Sequence, residues 1–402
     1  MIYSNMLSLK EKTVEFFENI NFKQIEEKNL LDTKNGHDFN TSLLVAHAEE
    51  ILEEDTEKLF SIQKVFYPSG HDESIRFPLF SFFSIMSNFY MKNISSLDYS
   101  LNIAANYLKD ICNIKLENIK IIINENTYKK YKDEFDSYFS FKQIFLTPKK
   151  NEYTFTNNGS LIKGEYVKFV YFNSNGFFPI YDFVLMKEGS KLHIEAGGIL
   201  DRFIFLNMDK DTIFQTDIFE EMILAINEKM GSDVFTPKFD YIGYYIAHMI
   251  RSLSFVILDG LKPSNRSPRS KALRYWMKYL MIRMSFYNIS PFVLLDLLSV
   301  VRFSIEKSGY LYNNESYERN KKYWIEEISN LYRNHAKEIL NIKTGDLNNC
   351  GSIYKDVLSI LSLDKQLGKI IDTTRISHGY PFTDESEQFT VIRKNFNQFI
   401  KE

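Results

Sequence analysis

The sequence predicts an α+β fold: an antiparallel β-sheet flanked by helices in the front half, followed by an all-α helical module. Up to about residue 200 the apolar residues fall in short aromatic and β-branched runs cut by turn residues, which is the pattern of strands. From about residue 215 they recur at helical spacing. With 44% hydrophobic and 15% aromatic residues in 402, and a net charge of -3, the chain is globular and long enough for two cores. The change of texture divides it into 1–235 and 236–402.

"LKEKTVEFFENINF" (9–22) sets Val14 and Phe17, with Phe16 or Ile20, on one helical face, and the segment after it reads as extended. Residues 60–92 read as strands broken at "PSGHDES", a link of the kind that joins antiparallel neighbours. "NIKIIIN" (118–124), "EYVKFVYFNS" (165–174), "FPIYDFVLM" (178–186) and "KLHIEAGG" (191–198) continue the strands. Helical periodicity then covers 240–258, 270–285, 291–307, 315–341 and 351–370.

No basic, apolar and small-residue succession opens the chain, and the most apolar run, "FPLFSFFSIMSNFYM" (77–91), is too short for a membrane span. The expectation is therefore no signal peptide and no membrane partner. Cys112 and Cys350 lie far apart without a pairing pattern, which suits a reducing cytoplasm and excludes a Cys-based zinc site. There is no internal repeat.

One stretch runs against the net charge. After Asp259 come Lys262, Arg266, Arg269, Lys271, Arg274, Lys278 and Arg283, with no acid before Asp296. Lys271, Arg274, Lys278 and, roughly, Arg283 share one side of a helix whose other side carries Leu273, Trp276, Met277 and Leu280. Two readings stand at this point: a solvated face balanced by acids such as "EEILEEDTEK" (49–58), or a platform for a phosphate backbone, where counterion release rewards uninterrupted positive charge.

"YIAHMIRSLSFVILDGLKPSNRSPRSKALRYWMKYLMIR" (245–283) resembles a segment of alanyl-tRNA synthetases in which an Ile-Ala-Asp-His-Ile-Arg-Ser helix leads through Asp-Gly and Pro-Ser-Asn into an Arg-rich helix. "FSFFSIMSNFYM" (80–91) resembles the family's Thr-Phe-Phe-Glu-Met-Leu-Gly-Asn-Phe strand, and "IEAGGILDRF" (194–203) its Val-Asp-Thr-Gly-Met-Gly-Leu-Glu-Arg. "ISHGYPF" (376–382) sits where the family has Asp-Thr-Tyr-Gly-Phe-Pro. These blocks keep the family's order across nearly the whole chain.

The resemblance implies a class II synthetase core that binds an amino acid and ATP with Mg²⁺ and joins them as an aminoacyl-adenylate, mostly by positioning and charge neutralisation. It assigns Arg202 to the γ-phosphate, with Asp201 in place of the preceding glutamate, and Lys64, His71 or Arg76 to the charge lost from the second motif. Gln63, Tyr67, Glu165, Gly197 and Gly198 fall in the ATP region, and Glu195, Asp182 and Val184 in the amino-acid region. Arg251, Lys262, Asn265, Arg266, Arg269, Lys271, Arg274 and Lys278 correspond to the acceptor-RNA side. Class II sheets often pair, so a homodimer is also implied.

The departures are specific. Tyr67 replaces the α-phosphate arginine, a loss of about 3 kcal/mol by analogy with removing one oxyanion donor. Glu195 replaces the aspartate that receives the substrate ammonium group, and Ile199 replaces a glycine near adenine. Ile376 replaces an aspartate that reads the G·U pair, whereas Asn265 is kept. Three readings result: an activating ligase that passes an amino acid to a carrier protein, a small metabolite or an unusual RNA; a catalytically degenerate chain acting as a ligand-binding or regulatory subunit; and a divergent alanine-tRNA ligase.

Overall fold

The computed structural model describes residues 5–33, 38–53, 58–67, 82–148, 152–157, 160–173, 176–188, 191–208, 210, 212–230, 240–287 and 289–344. The "PSGHDES" link, His71, Arg76, Cys350, the 351–370 helix and "ISHGYPF" lie outside the described residues. The chain divides into two compact units, one of residues 1–65, 84–211 and 377–402, the other of 66–83 and 212–376.

In chain order the first unit opens with helix α1 (Met6–Asn19), strand β1 (Lys23–Gln24) and helix α2 (Leu43–Glu53). Strands β2 (Lys58–Phe66) and β3 (Phe83–Ile94) follow, the last residue of β2 and the first of β3 being grouped in the second unit. Next come α3 (Asp98–Asn106), β4 (Ile119–Asn124), α4 (Glu125–Lys130), α5 (Lys132–Asp136) and β5 (Ile144–Thr147). Long antiparallel strands β6 (Glu152–Asn157), β7 (Ser160–Asn173), β8 (Gly176–Glu188) and β9 (Lys191–Ile199) lead into α6 (Leu200–Asn207). The second unit carries α7 (Glu220–Met230), α8 (Asp240–Leu258), α9 (Pro268–Phe286), α10 (Val293–Lys307) and α11 (Asn314–Thr344).

The α+β reading followed by helices is what the structure contains. Its sheet runs β1-β2-β3-β9-β8-β7-β4-β5, with β6 on β7. It is antiparallel through its centre, but the pairs at its two ends, β1 with β2 and β4 with β5, are parallel. The sequence gives no sign of the parallel ends, because a buried strand such as "IKIIIN" reads alike in either direction. The segment read as extended after residue 22 contains α2, an error that proves decisive below.

Both faces of the sheet are covered. On one, Phe17 of α1 stacks on Phe60 at 5.0 Å between ring centres, and Tyr107, just after α3, shares a 2.6 Å hydrogen bond with Ser87. On the other, Leu43, Leu44 and Ile51 of α2 pack with Leu59, Tyr90, Val184 and Met186. Register assigns polar residues to this second face: Tyr90 and Val184 both lie opposite Glu195, while Asn88 and Asp182 both lie opposite Gly197. Partners across an antiparallel pair share a face.

In the second unit, Ser267 caps α9 by accepting from the Ser270 amide, and Pro268 occupies the first turn. Leu273, Trp276, Met277 and Leu280 are buried, as their spacing predicts.

Gly198 fixes how β9 turns into α6. A Cβ there would run into the Phe203 ring, and would lie 2.7 Å from the Tyr181 ring and 2.8 Å from the backbone oxygen of Ile180. A fixed carbonyl cannot yield as a side chain can. Gly198→Ala is therefore expected to destabilise the protein by about 2 kcal/mol or more, read as a lower denaturant midpoint.

Candidate functional site

Glu195 is the centre of the second sheet face. It is 5% exposed, and its Oε1 accepts from the Leu44 amide at 3.2 Å and from Asn88 Nδ2 at 3.4 Å. The Leu43 amide and the Ser42 hydroxyl also donate to the carboxylate. Ser42 in turn accepts from the Val45 amide at 3.3 Å, so strand residue and cap residue together close the N-terminus of α2. Burial pushes the Glu195 carboxyl up to about 7; the bonds from Leu44, Ser42 and Leu43 oppose the rise, and the charge of Asp182 adds to it.

Gly197 serves this arrangement. A Cβ on Gly197 would approach Asn88 Nδ2 to 2.5 Å and the Ser87 oxygen to 2.7 Å, so the bare backbone leaves room for the amide that bonds Glu195. Asp182 is half-buried on the neighbouring strand, opposite Lys168 of β7, and Val184 is packed under α2. Glu195, Asp182 and Val184 are therefore brought together, with Asn88 and Ser42 as partners that the sequence reading missed. A signal existed: "NTSLL" puts Thr and Ser directly before an apolar run, which is a helix start.

The residues assigned to ATP are placed differently. Arg202 is 7% exposed and its Nη1 donates to the Pro179 oxygen of β8. Asp201, also buried, accepts from the Ile85 amide at 2.7 Å. The Lys64 amide donates to the Glu27 carboxylate at 2.5 Å, and that side chain too is mostly buried. Glu165 accepts from the Thr127 hydroxyl at 2.5 Å, and the Tyr67 amide bonds to Phe82. Gln63 is fully buried, and neither end of its amide has a hydrogen-bond partner.

The described residues of this group make contacts within the chain. Triphosphate needs guanidinium or ammonium groups turned toward it, and a nucleotide-bound Mg²⁺ takes one or two protein carboxylates besides the phosphates. Arg202 is turned to a strand carbonyl, while Glu165, Asp201 and Glu195 are bonded to the chain's own donors. Among the described residues no three His, Cys, Asp or Glu side chains gather where a metal could sit.

The basic stretch splits in two. Lys262, Asn265, Arg266 and Lys271 are exposed, and Arg269, Arg274 and Lys278 half-buried. Arg274 bonds Glu327 of α11 at 3.0 Å and Asn265 at 3.1 Å, so an acid distant in sequence interrupts the stripe. Arg283 is buried over the Tyr245 ring at 4.6 Å and leaves the stripe altogether. Arg251 is 1% exposed, with its guanidinium 5.1 Å from the rings of Phe83, Phe219 and Phe255 and Nη2 donating to Ser308 at 2.8 Å. It is a core residue by position and does not reach a ligand in solvent.

Alanine–tRNA ligase of Streptococcus thermophilus is 29% identical over 228 residues, 54% of this chain and 24% of the relative. That of Chlamydia pneumoniae is 36% identical over 90 residues, 21% of this chain and 10% of the relative. In sequence, this is an alanyl-tRNA-synthetase-like chain. It spans about a tenth to a quarter of these relatives' length. Among solved structures, the alanyl-tRNA-synthetase-like chain has similarity to apo Staphylococcus aureus histidyl-tRNA synthetase (TM-score 0.34, 11% identity, 52% of this chain and 68% of that one). Entamoeba histolytica asparaginyl-tRNA synthetase with asparaginyl-adenylate gives TM-score 0.36 and 9% identity, over 53% and 65% of the two chains. No family model matches. No helix among the described residues is long and apolar enough to cross a membrane.

Because Arg202 bonds the chain's own backbone, Arg202→Ala is expected to lower the melting temperature while leaving ATP affinity, measured by calorimetry, unchanged from the wild type. A large loss of ATP affinity at unchanged stability would put the triphosphate back against this residue.

Proposed function

We propose that this chain is a synthetase-like protein that does not form an adenylate and acts instead as an RNA-binding, regulatory subunit. The observation that carries the reading is the Glu195 carboxylate, closed by the first amides of α2 and the Ser42 hydroxyl. In the family the resemblance points to, that position receives the ammonium group of the amino acid. Here two backbone N–H groups, one hydroxyl and the Asn88 amide take its acceptor capacity, so an incoming ammonium has no vacant carboxylate to meet. The loss of the second-motif arginine at Tyr67 and the inward turn of Arg202 point the same way.

The RNA side rests on a different surface, the exposed Lys262, Arg266 and Lys271 with the half-buried Arg269 and Lys278. Tyr275 stands 45% exposed among them and offers a ring on which a base can stack. The relatives are named as tRNA ligases, which makes a structured RNA the partner to test first. With Ile376 in place of the aspartate that would share the reading of the G·U pair with Asn265, backbone contacts by the cations dominate, so affinity rather than sequence preference is expected.

Two measurements decide. Amino-acid-dependent exchange of pyrophosphate into ATP, run over all twenty amino acids, is expected to stay at background; exchange with any one of them would overturn the silent reading and restore the activating ligase. For the RNA surface, a Lys262→Glu/Arg266→Glu/Lys271→Glu variant is expected to bind an acceptor-stem hairpin about 10- to 100-fold more weakly at 0.1 M salt. Its log-affinity should fall less steeply with log-salt, by roughly two to three units of slope. Unchanged affinity in that variant would remove the RNA surface.

A further inference from the structure

We propose that the first turn of α2 is a latch on the sheet face, held hardest on Glu195 in acid and loosened, while still docked, as the pH rises toward neutrality. The inference rests on the same Glu195 contact as the reading above but adds a conformational device that the reading does not require.

The geometry comes first. The turn Leu43–Ala46 is held to the sheet by two kinds of contact: the hydrogen bonds to one carboxylate, and the packing of Leu43 and Leu44 against Leu59, Tyr90 and Val184. Directly after it the helix is broken at His47, whose φ of -127° and ψ of 27° are not helical. Beyond the break Ile51 belongs to the same apolar cluster and anchors the rest of the helix. The break is a point at which the first turn can swing while the second part stays packed. Beneath the turn lie Glu195, Asn88 and Asp182, the polar groups that its lifting would wet.

The proton supplies the direction. Docked, Glu195 is buried and titrates near 7; with the turn lifted and water admitted, it returns to the 4.5 of an ordinary glutamate. Between those values the docked form holds a proton that the lifted form has given up, so docking is favoured by acid and weakened as the pH rises through that window, with no further change above it. From 4.5 to about 7 the docking equilibrium changes by a factor of roughly 300.

The groups facing Glu195 agree with this assignment. Asp182 of β8 pushes its carboxyl up, and Lys168 stands beyond Asp182 on β7. Tyr166 of β7 and Tyr90 of β3 are themselves held above their ordinary range by burial first and by nearby carboxylates, so neither ionises in the window. His193, two residues along β9, is pushed below the ordinary imidazole value by burial, against the pull of Glu188 at 3.5 Å, and is bonded to Tyr90 at 3.1 Å. The titratable residues of α2 are His47, Glu49, Glu50 and Glu53.

Hydrogen exchange on the full chain tests the latch, with amide rates corrected for their intrinsic pH dependence. Protection of Leu43, Leu44 and Val45 is expected to fall by up to about 300-fold from pH 4.5 to 7.5, while Ile194 and Ala196 of β9 keep theirs. Glu195→Gln should flatten the response, and Asp182→Asn should move its midpoint to lower pH. Protection of α2 that does not change with pH overturns the proposal, and so does a parallel loss in β9, which would mean that the whole sheet opens. The silent-enzyme reading fails separately, by pyrophosphate exchange.

Discussion

A single buried carboxylate fixes the character of this molecule. Burying a carboxyl group is costly unless donors surround it, and Glu195 finds its donors in a helix end that belongs to the same chain. The arrangement depends on neighbours that would otherwise look unremarked: a glycine opposite Asn88 so that the amide can lie flat, a serine that serves both helix and carboxylate, and two leucines that seal the contact. Each of them meets a need created by the carboxylate. A side chain one methylene longer than aspartate reaches a partner that aspartate would leave to a ligand, and that is the physical content of the exchange at position 195.

The second unit solves a similar problem with a different chemistry. Arg251 is buried against three phenyl rings and the Ser308 hydroxyl. Aromatic faces stabilise a cation whose desolvation would otherwise be prohibitive, and the planar guanidinium can meet several rings at once. His248, one turn earlier on α8, is kept neutral by burial first and by this cation second, so the helix carries one interior charge and not two. The motif that marks the helix in sequence is thus a packing device, and the groups presented to solvent come from the segment after it.

How much of this was legible beforehand follows from what each signal reports. Periodicity reports which side of an element is apolar, and it located α8, α10 and α11 to within a few residues. It could not separate parallel from antiparallel pairing at the sheet ends, since burial on both faces erases the alternation. It also grouped Arg283 with the exposed cations, because at five residues beyond Lys278 the side chain has rotated toward Tyr245. Charge counting missed Glu327, which lies 53 residues beyond the arginine it pairs with and becomes a neighbour only when α11 packs on α9. The site was legible as a set of positions and illegible as a set of contacts: Glu195 was found, but its role turned on α2, in a segment read as extended.

The same distinction explains why a recognisable motif need not carry a recognisable chemistry. The third-motif block keeps its first glycine and its arginine and loses the second glycine to Ile199, and each residue is held by a local demand: Gly197 by Asn88, Gly198 by the Ile180 carbonyl and two rings, Arg202 by the Pro179 carbonyl, Asp201 by the Ile85 amide. A strand that must turn sharply into a helix beside a second strand would select small residues and a long donor at these places whether or not a nucleotide ever arrived. What separates inheritance of the fold from inheritance of the reaction is therefore the direction in which the polar groups face. In this chain those of β9 and α6 face inward, and the outward polarity has moved to the basic surface of α9.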